Sequence, residues 1–520
     1  MNAGISARLI TTPIYYANGP PHIGHLYSTV LADAFHRYQR LLGRKSILTT
    51  GTDEHGSKIQ KKAMDTQQDP RVYVNHISSQ YRALFEECQI DFQDFIRTTD
   101  SSHLETVQQT WSKMSENGFI SKKQHSGWYC LPDEAFVPED QTELVNGNMR
   151  TSKESGHPLE WTEEDNYTFS VCQFQETIHK WLKDNRIVKP HLFMGSLDSL
   201  FSSPIPDLSL SRPTSRVSWG IPVPQDPTQT IYVWFDALLN YLTMGQKHNI
   251  WPADVHVVGK DILKFHAIYF PAFLLANDLA LPKRIFCHSH WTVDHKKMSK
   301  SLNNVVDPRQ AMSITGPEGL RYYLLRQGVP GYDNNFDEDK LVHYFNQELA
   351  DTLGNLLSRC TGAKLNPEQI RKPVNQELLD LALLSPLARK IVESQERLPN
   401  QVTECFEEFN FYQGITAIMD LLRATNTFVH EEQPWKMKDN PSRRDLVIHL
   451  SLESLRIAGI LLQPIIPVTR IRVLVSAIPR HPVFGSGVVV SQRKNLGTIS
   501  YTIVSFFGPN HLLIPQTCLT

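Results

Sequence analysis

A chain of 520 residues with 41% hydrophobic and 20% charged side chains is sized for about two to four globular domains and suits a soluble protein. It contains no run of about 18 apolar residues, so no membrane span is expected. The formal charge of −2 gives no sign of a nucleic-acid partner and excludes none, because steering depends on local patches.

Seven cysteines, at 88, 130, 172, 287, 360, 405 and 518, form no CxxC pair. Neither a zinc knuckle nor a disulfide framework is suggested, and a reducing compartment is the plain reading. The opening MNAGISARLITTP is too short and too polar for a secretory signal, and it does not read as a transit peptide.

Leu9 and Ile10, then Ile14, Tyr15 and Tyr16, predict a short buried strand, broken by Asn18, Gly19 and two prolines. A helix is expected from His22, with Ile23, Leu26, Val30, Ala34, Tyr38 and Leu41 at helical spacing and Gly43 at its end. Ile47 and Leu48 begin a second strand that stops at Gly51. Strand, turn, helix, strand is the opening of a doubly wound parallel α/β sheet.

His22 and His25 stand one turn apart at the helix N-terminus, where orphan N–H groups favour an anion by about 0.3–1 kcal/mol. Alone they read equally well as cap or packing residues. Gly24 between them would let a flat ring or phosphate approach the backbone. Asp53, Glu54 and His55 follow the next strand, where such sheets place ligands. The turn does not fit the GxGxxG dinucleotide fingerprint.

Residues 57–117 read as mostly helical, with a short strand over Ile90–Phe95 and Trp111 and Met114 in the core of a helix. Arg97, Thr98 and Thr99 read either as shaping the site or as a capped loop. From Gly118 the pattern changes to short apolar runs broken by Gly, Pro, Asp and Ser, predicting an inserted domain over 118–224. In the loop Ser209–Pro224, Arg212, Arg216 and Trp219 either approach a nucleic-acid end or are structural.

Trp234, Ala237, Leu238 and Tyr241 share one face of a predicted helix, with Asp236 and Asn240 interrupting the other. Val255–Val258 and Ile285–Cys287 predict two more strands. Phe345 onwards shows helical leucine periodicity, including Leu378–Ile391, Phe406–Phe428 and Leu446–Leu462, which predicts a helical bundle. The 468–520 tail suggests two or three short strands.

HIGH at His22–His25, KMSKS at Lys297–Ser301, the TTPIYYANG and GTDEHG segments and the WFDALLNY stretch closely resemble methionyl-tRNA synthetase, a class I aminoacyl-tRNA synthetase. The likeness runs from about Ala7 to about Pro464. It implies a Rossmann-like catalytic domain in two halves, 7–117 and 225–316. Between them lies the 118–224 connective insertion, and after them a 317–344 linker and a 345–467 anticodon-binding bundle. The 468–520 tail departs from the likeness.

The implied reaction joins ATP and L-methionine as methionyl-adenylate, then passes the methionyl group to tRNA(Met). The resemblance assigns phosphate contacts to His22, His25, Lys297 and Lys300, with Gly259 and Asp261 near adenosine. It gives Asp53 to the substrate ammonium, Ile14 and Tyr16 to the near wall, and Trp234, Ala237, Leu238, Tyr241, Ile262 and His266 to the far wall. The family often has proline where Leu238 stands.

Asn355, Arg359 and Trp435 correspond to anticodon readers; without the resemblance they read as a helix salt bridge and a buried tryptophan. Mg²⁺ is expected with the nucleotide. Relatives often bind zinc in the insertion, but Cys130 is the only cysteine offered near such a knuckle, so a metal-free insertion packed around Trp128, Tyr129, Phe136 and Trp161 is expected. The likeness is greatest to the animal mitochondrial form, which implies the mitochondrial matrix and a monomer. The competing readings are cytoplasmic placement, another class I synthetase, a small nucleotidylyltransferase, and a non-catalytic tRNA-binding protein.

Overall fold

A computed structural model describes residues 7–468 apart from 132–133, 146–148, 154, 185, 299–303, 368–379, 381 and 383. Its centre is a six-stranded parallel sheet. The strands are β1 (Arg8–Tyr16), β2 (Ser46–Asp53), β3 (Asp94–Arg97), β4 (Val188–Lys189), β5 (Val255–Gly259) and β6 (Ile285–His288), in the spatial order β3-β2-β1-β5-β6-β4. Ile10, Leu48, Val257 and Phe286 are fully buried in it, as near-continuous apolar strands covered on both faces should be.

β1 pairs with β2 on one side and with β5 on the other, with Ile10 opposite Leu48 and Val255. The chain therefore reverses its direction of winding between β1 and β5. The carboxyl ends of these two strands frame the crevice where open α/β sheets bind ligands. Helix α1 (Ile23–Leu41) crosses from β1 to β2. The predicted strand over Ile90–Phe95 forms a few residues later, as β3.

The insertion is built on antiparallel pairing of Ile120–Cys130 with Glu160–Phe169, flanked by Leu208–Ser209 and Ala135–Val137. Of the four aromatics expected to pack it, Tyr129 is buried and its ring lies 5.0 Å from Phe136. Trp161 is half-exposed and meets Trp128 edge-on at the surface. The interior place is filled instead by the Arg212 guanidinium, over the rings of Tyr129, Phe136 and Tyr232. Arg212 is thus buried, Arg216 pairs with Glu164, and the Trp219 indole donates to the Glu54 carbonyl. All three side chains thus have partners within the fold.

Beyond β6, the helix Pro308–Gln327 kinks at Gly316, whose φ is +73°, before Pro317. Arg321 in its second half is fully buried. It donates to Asp33 of α1 at 2.6 Å and to the carbonyls of Pro464, Ile465 and Cys88. The helical bundle includes Asn355–Thr361, Pro386–Glu407, Phe411–Glu432 and Pro441–Leu461. The expected helix over Phe406–Phe428 is in fact two, because the chain breaks at 408–410. Phe409, apolar and so in keeping with the helical pattern, turns out at φ +59° and stacks between Phe35 and Phe286. That ring bolts the bundle to the sheet. The strands suggested for the tail lie outside the described residues beyond Val468.

The fold is a parallel Rossmann-like sheet split by a smaller antiparallel insertion and followed by a helical bundle. Among the described residues no helix is long and apolar enough to cross a membrane.

Candidate active site

At the end of β1 the side chains alternate. Tyr15 is buried against α1, while Ile14 and Tyr16 are partly exposed toward the crevice. The turn then delivers His22 as the N-cap of α1. Its Nδ1 accepts the Gly24 N–H at 3.1 Å, and the His22 N–H donates to Nδ1 of His25 at 3.2 Å. This is a capping box made of imidazoles, with the rings stacked 3.7 Å apart. Because both Nδ1 atoms accept, both neutral rings carry their proton on Nε2, as donors suited to phosphate oxygens.

Gly24 does not leave open backbone for a ligand, as its sequence context suggested. A Cβ there would stand 3.0 Å from Cε1 of His22, so the absent side chain makes room for that ring.

Asp53 ends β2 opposite Tyr16. It is buried, and its Oδ1 has no hydrogen-bond partner among the described residues. Burial, with Asp236 and Glu134 nearby, holds its carboxyl well above the usual range. A cation brought to this position would relieve both the missing bond and the repulsion. Its neighbour Glu54 is saturated: Arg97 binds both oxygens, and Thr52 and Thr99 donate to one each. The Glu54 N–H donates to the Thr98 hydroxyl, so Arg97, Thr98 and Thr99 all hold Glu54 at the edge of the crevice.

The predicted helix face from Trp234 to Tyr241 is divided between two short helices, Val233–Leu238 and Asn240–His248. Trp234 is partly exposed and stacks on Phe265 at 3.7 Å, while Ala237, Leu238 and Tyr241 are buried. The polar face is not solvated either. Asp236 is buried between His55 Nδ1 and His103 Nε2, each at 2.7 Å, and Asn240 donates to the Ala237 carbonyl. Burial would raise the Asp236 carboxyl, but the two imidazoles outweigh it and its pKa is lowered.

Ile262 is partly exposed, and its carbonyl accepts from His266 Nδ1. Nε2 of that ring receives the Tyr241 hydroxyl. Burial pushes His266 down to about 4, so the ring is neutral near pH 7.

Gly259 ends β5, and a Cβ on it would come within 2.7 Å of Asp261 Oδ1. Asp261 in turn meets His290. Past β6, Lys296 and Lys297 pair with Trp291–Val293 as a hairpin, with Lys297 exposed. Met298 then reaches the start of α1, its Cε 3.8 Å from the Cβ position of Gly24. The two short signatures meet there. Lys300 lies outside the described residues.

In the bundle, Asn355 and Arg359 are exposed, one turn apart. Trp435 is 42% exposed, not buried as the plain reading held, and the Arg359 guanidinium lies 5.8 Å from its ring centroid. Arg359 and Trp435, from two distant segments, thus meet at the surface, with Asn355 one turn from Arg359 on the same helix.

A turn capped by two stacked imidazoles and a lysine hairpin meet at one switch-point crevice, and the class of protein that carries them is given by comparison: class I aminoacyl-tRNA synthetases. A family profile described as "tRNA synthetases class I (M)" matches residues 8–361. The mitochondrial methionine–tRNA ligase of Homo sapiens is 43% identical over 490 residues, covering 88% of this chain and 81% of that one. A probable mitochondrial methionine–tRNA ligase of Dictyostelium discoideum is 42% identical, covering 88% and 84%. The Mycobacterium tuberculosis methionyl-tRNA synthetase in complex with methionyl-adenylate superposes with a TM-score of 0.84 at 32% identity, covering 90% of this chain and 93% of that one. The chain belongs to the methionyl-tRNA synthetases.

Proposed function

We propose that this chain is a mitochondrial methionine–tRNA ligase, which activates L-methionine with ATP and transfers it to tRNA(Met). In the first step a methionine carboxylate oxygen bonds to the α-phosphorus of ATP, and the bond to pyrophosphate breaks. In the second, a hydroxyl of the terminal ribose of the tRNA takes the methionyl carbonyl and AMP leaves. No covalent bond to the protein is needed, so alignment and charge stabilisation carry the acceleration.

The observation that carries the reading is Asp53. A buried carboxylate with an unpartnered oxygen in the switch-point crevice is suited to the α-ammonium of an amino acid. Ile14 and Tyr16 then form one wall of the slot, and Trp234, Ala237, Leu238, Tyr241, Ile262 and His266 the other. Aromatic walls suit a thioether, at about 0.3–1.5 kcal/mol per contact.

His22 and His25 donate from Nε2 to phosphate oxygens, Gly259 and Asp261 take the adenosine, and Lys297 and Lys300 stabilise the charge that shifts onto pyrophosphate. Mg²⁺ enters with the phosphates. Cys130 is buried in a strand pair with Ala135 and is the only cysteine near the knuckle position, where a tetrahedral structural zinc takes four ligands. We assign the insertion no structural zinc. Asn355, Arg359 and Trp435 read the unpaired anticodon bases by hydrogen bonds and stacking. The enzyme works as a monomer.

ATP–pyrophosphate exchange with a panel of amino acids tests the reading. Exchange with methionine alone is expected; exchange with another amino acid and none with methionine would overturn it.

A further inference from the structure

The insertion sends one carboxylate back into the catalytic sheet. Glu134 is 5% exposed and sits at φ +54°, a conformation rare for a residue with a side chain. Its backbone is held from behind by Arg212, whose Nη2 donates to the Glu134 carbonyl. Its Oε2 accepts the Tyr16 hydroxyl at 2.8 Å. Its Oε1 accepts the N–H groups of Ser57 and Lys58 and the Ser57 hydroxyl, at the open end of the helix Ser57–Asp65.

That helix has no cap of its own, because its N-cap residue is Gly56 at φ +105°. A Cβ on Gly56 would lie 2.5 Å from the Tyr16 hydroxyl and 3.0 Å from Glu134 Oε1. The glycine therefore gives up a local side-chain cap and admits the carboxylate together with the phenol. Lys58 closes the other side of the Tyr16 ring, 5.4 Å from its centroid.

We propose that Glu134 is a positioning residue for methionine: it fixes the Tyr16 ring as the near wall of the amino-acid slot and so makes substrate affinity depend on the seating of the insertion. The proposal rests on the reading of Tyr16 as that wall. Glu134 also adds negative charge near Asp53, where the substrate ammonium enters.

The test measures KM and kcat in ATP–pyrophosphate exchange for Tyr16→Phe, Glu134→Ala, the double variant and Tyr16→Ala, alongside thermal melts. Tyr16→Phe removes only the hydroxyl bond and leaves the helix cap intact. It and Glu134→Ala are each expected to raise the KM for methionine about tenfold, with kcat and the KM for ATP within about twofold. The double variant should match Glu134→Ala alone, since both changes remove one bond.

A lower melting temperature in Glu134→Ala with an unchanged KM for methionine would reduce Glu134 to a helix cap and overturn the proposal, as would effects that multiply in the double variant. An unchanged KM in Tyr16→Ala would overturn the wall reading and the proposal with it. Should Glu134→Ala fail to fold, Tyr16→Phe decides alone.

Discussion

Tyr241 donates its hydroxyl to Nε2 of His266 across 2.7 Å, and Nδ1 of the same ring donates to the Ile262 carbonyl at 2.9 Å. The pair locks one tautomer of a neutral imidazole within the proposed far wall. Tyr241→Phe leaves a buried ring nitrogen without its donor, a loss of about 1–3 kcal/mol. The expected outcome is a lower melting temperature and a raised KM for methionine, with the KM for ATP unchanged. Equal losses for both substrates would show that the bond supports the fold and not the slot.

His266 is one of several buried neutral imidazoles, and each of them makes stability fall as pH falls. Burial pushes His266 and His288 down to about 4, and His256 falls well below its ordinary value. In the unfolded chain each takes up a proton as pH falls through about 6.5. The folded rings of His266 and His288 resist until about pH 4. Over that window the unfolded state binds more protons, so stability drops as pH drops, by up to about 3 kcal/mol for each of the two. Melting temperature should decline steadily from pH 7 to pH 4.5. His288→Asn should shallow that slope, and a slope identical to the wild type would refute the assignment.

Gly24→Ala separates catalysis from folding. In a helix such a change ordinarily stabilises by about 0.4–1 kcal/mol. Here the new Cβ would press on the His22 ring at 3.0 Å and displace it from the stack with His25. We expect a melting temperature within a few degrees of the wild type and a fall of about 10²-fold in kcat for exchange, the scale of losing one aligned donor. A normal kcat would mean that the His22 ring position is immaterial to the phosphates.

Arg321 and Asp33 test the seam between sheet and bundle. Both are fully buried, and Arg321 also satisfies three carbonyls. Removing one partner of a buried pair costs about 3–5 kcal/mol because the other charge is stranded. Arg321→Ala should therefore depress the chemical-denaturation midpoint strongly. Arg443→Ala, which breaks the pair with Glu432 within the bundle, should do less. Comparable shifts would show that the seam is not the weak point.

The sequence made β1, α1 and β2 readable within one or two residues, because apolar period and glycine–proline punctuation agree there. It was misleading where polar residues find partners far along the chain. Asp236 and Asn240 read as interrupting the apolar pattern of their helix, yet Asp236 is buried with His55 and His103, 181 and 133 residues away, as partners. Periodicity carries no signal for such a closure. Glu134 was invisible for the same reason, although Gly56, which its carboxylate crowds, stands in a segment already singled out. Phe409 failed in the opposite sense: an apolar residue in phase with a helix marked a turn, since its ring packs against α1 and β6 instead of within the bundle. Without the resemblance Trp435 read as a buried tryptophan, because its neighbour across space, Arg359, comes from a helix some 75 residues earlier.

That last pair supports the clearest separation of functions. Trp435 is 42% exposed and lies beside Arg359, in a bundle joined to the sheet through Phe409 and Arg321. Trp435→Ala removes a stacking plane worth about 1–3 kcal/mol for an unpaired base. It removes no contact to the crevice between β1 and β5. Methionine-dependent pyrophosphate exchange should stay near the wild-type rate, while kcat/KM for charging tRNA(Met) falls about 5- to 150-fold. Arg359→Ala should act in the same direction. Combined with Trp435→Ala it should lose less than the product of the two, because the side chains form one surface. If folded Trp435→Ala loses exchange and charging in equal measure, the division between a catalytic sheet and an anticodon-reading bundle is wrong.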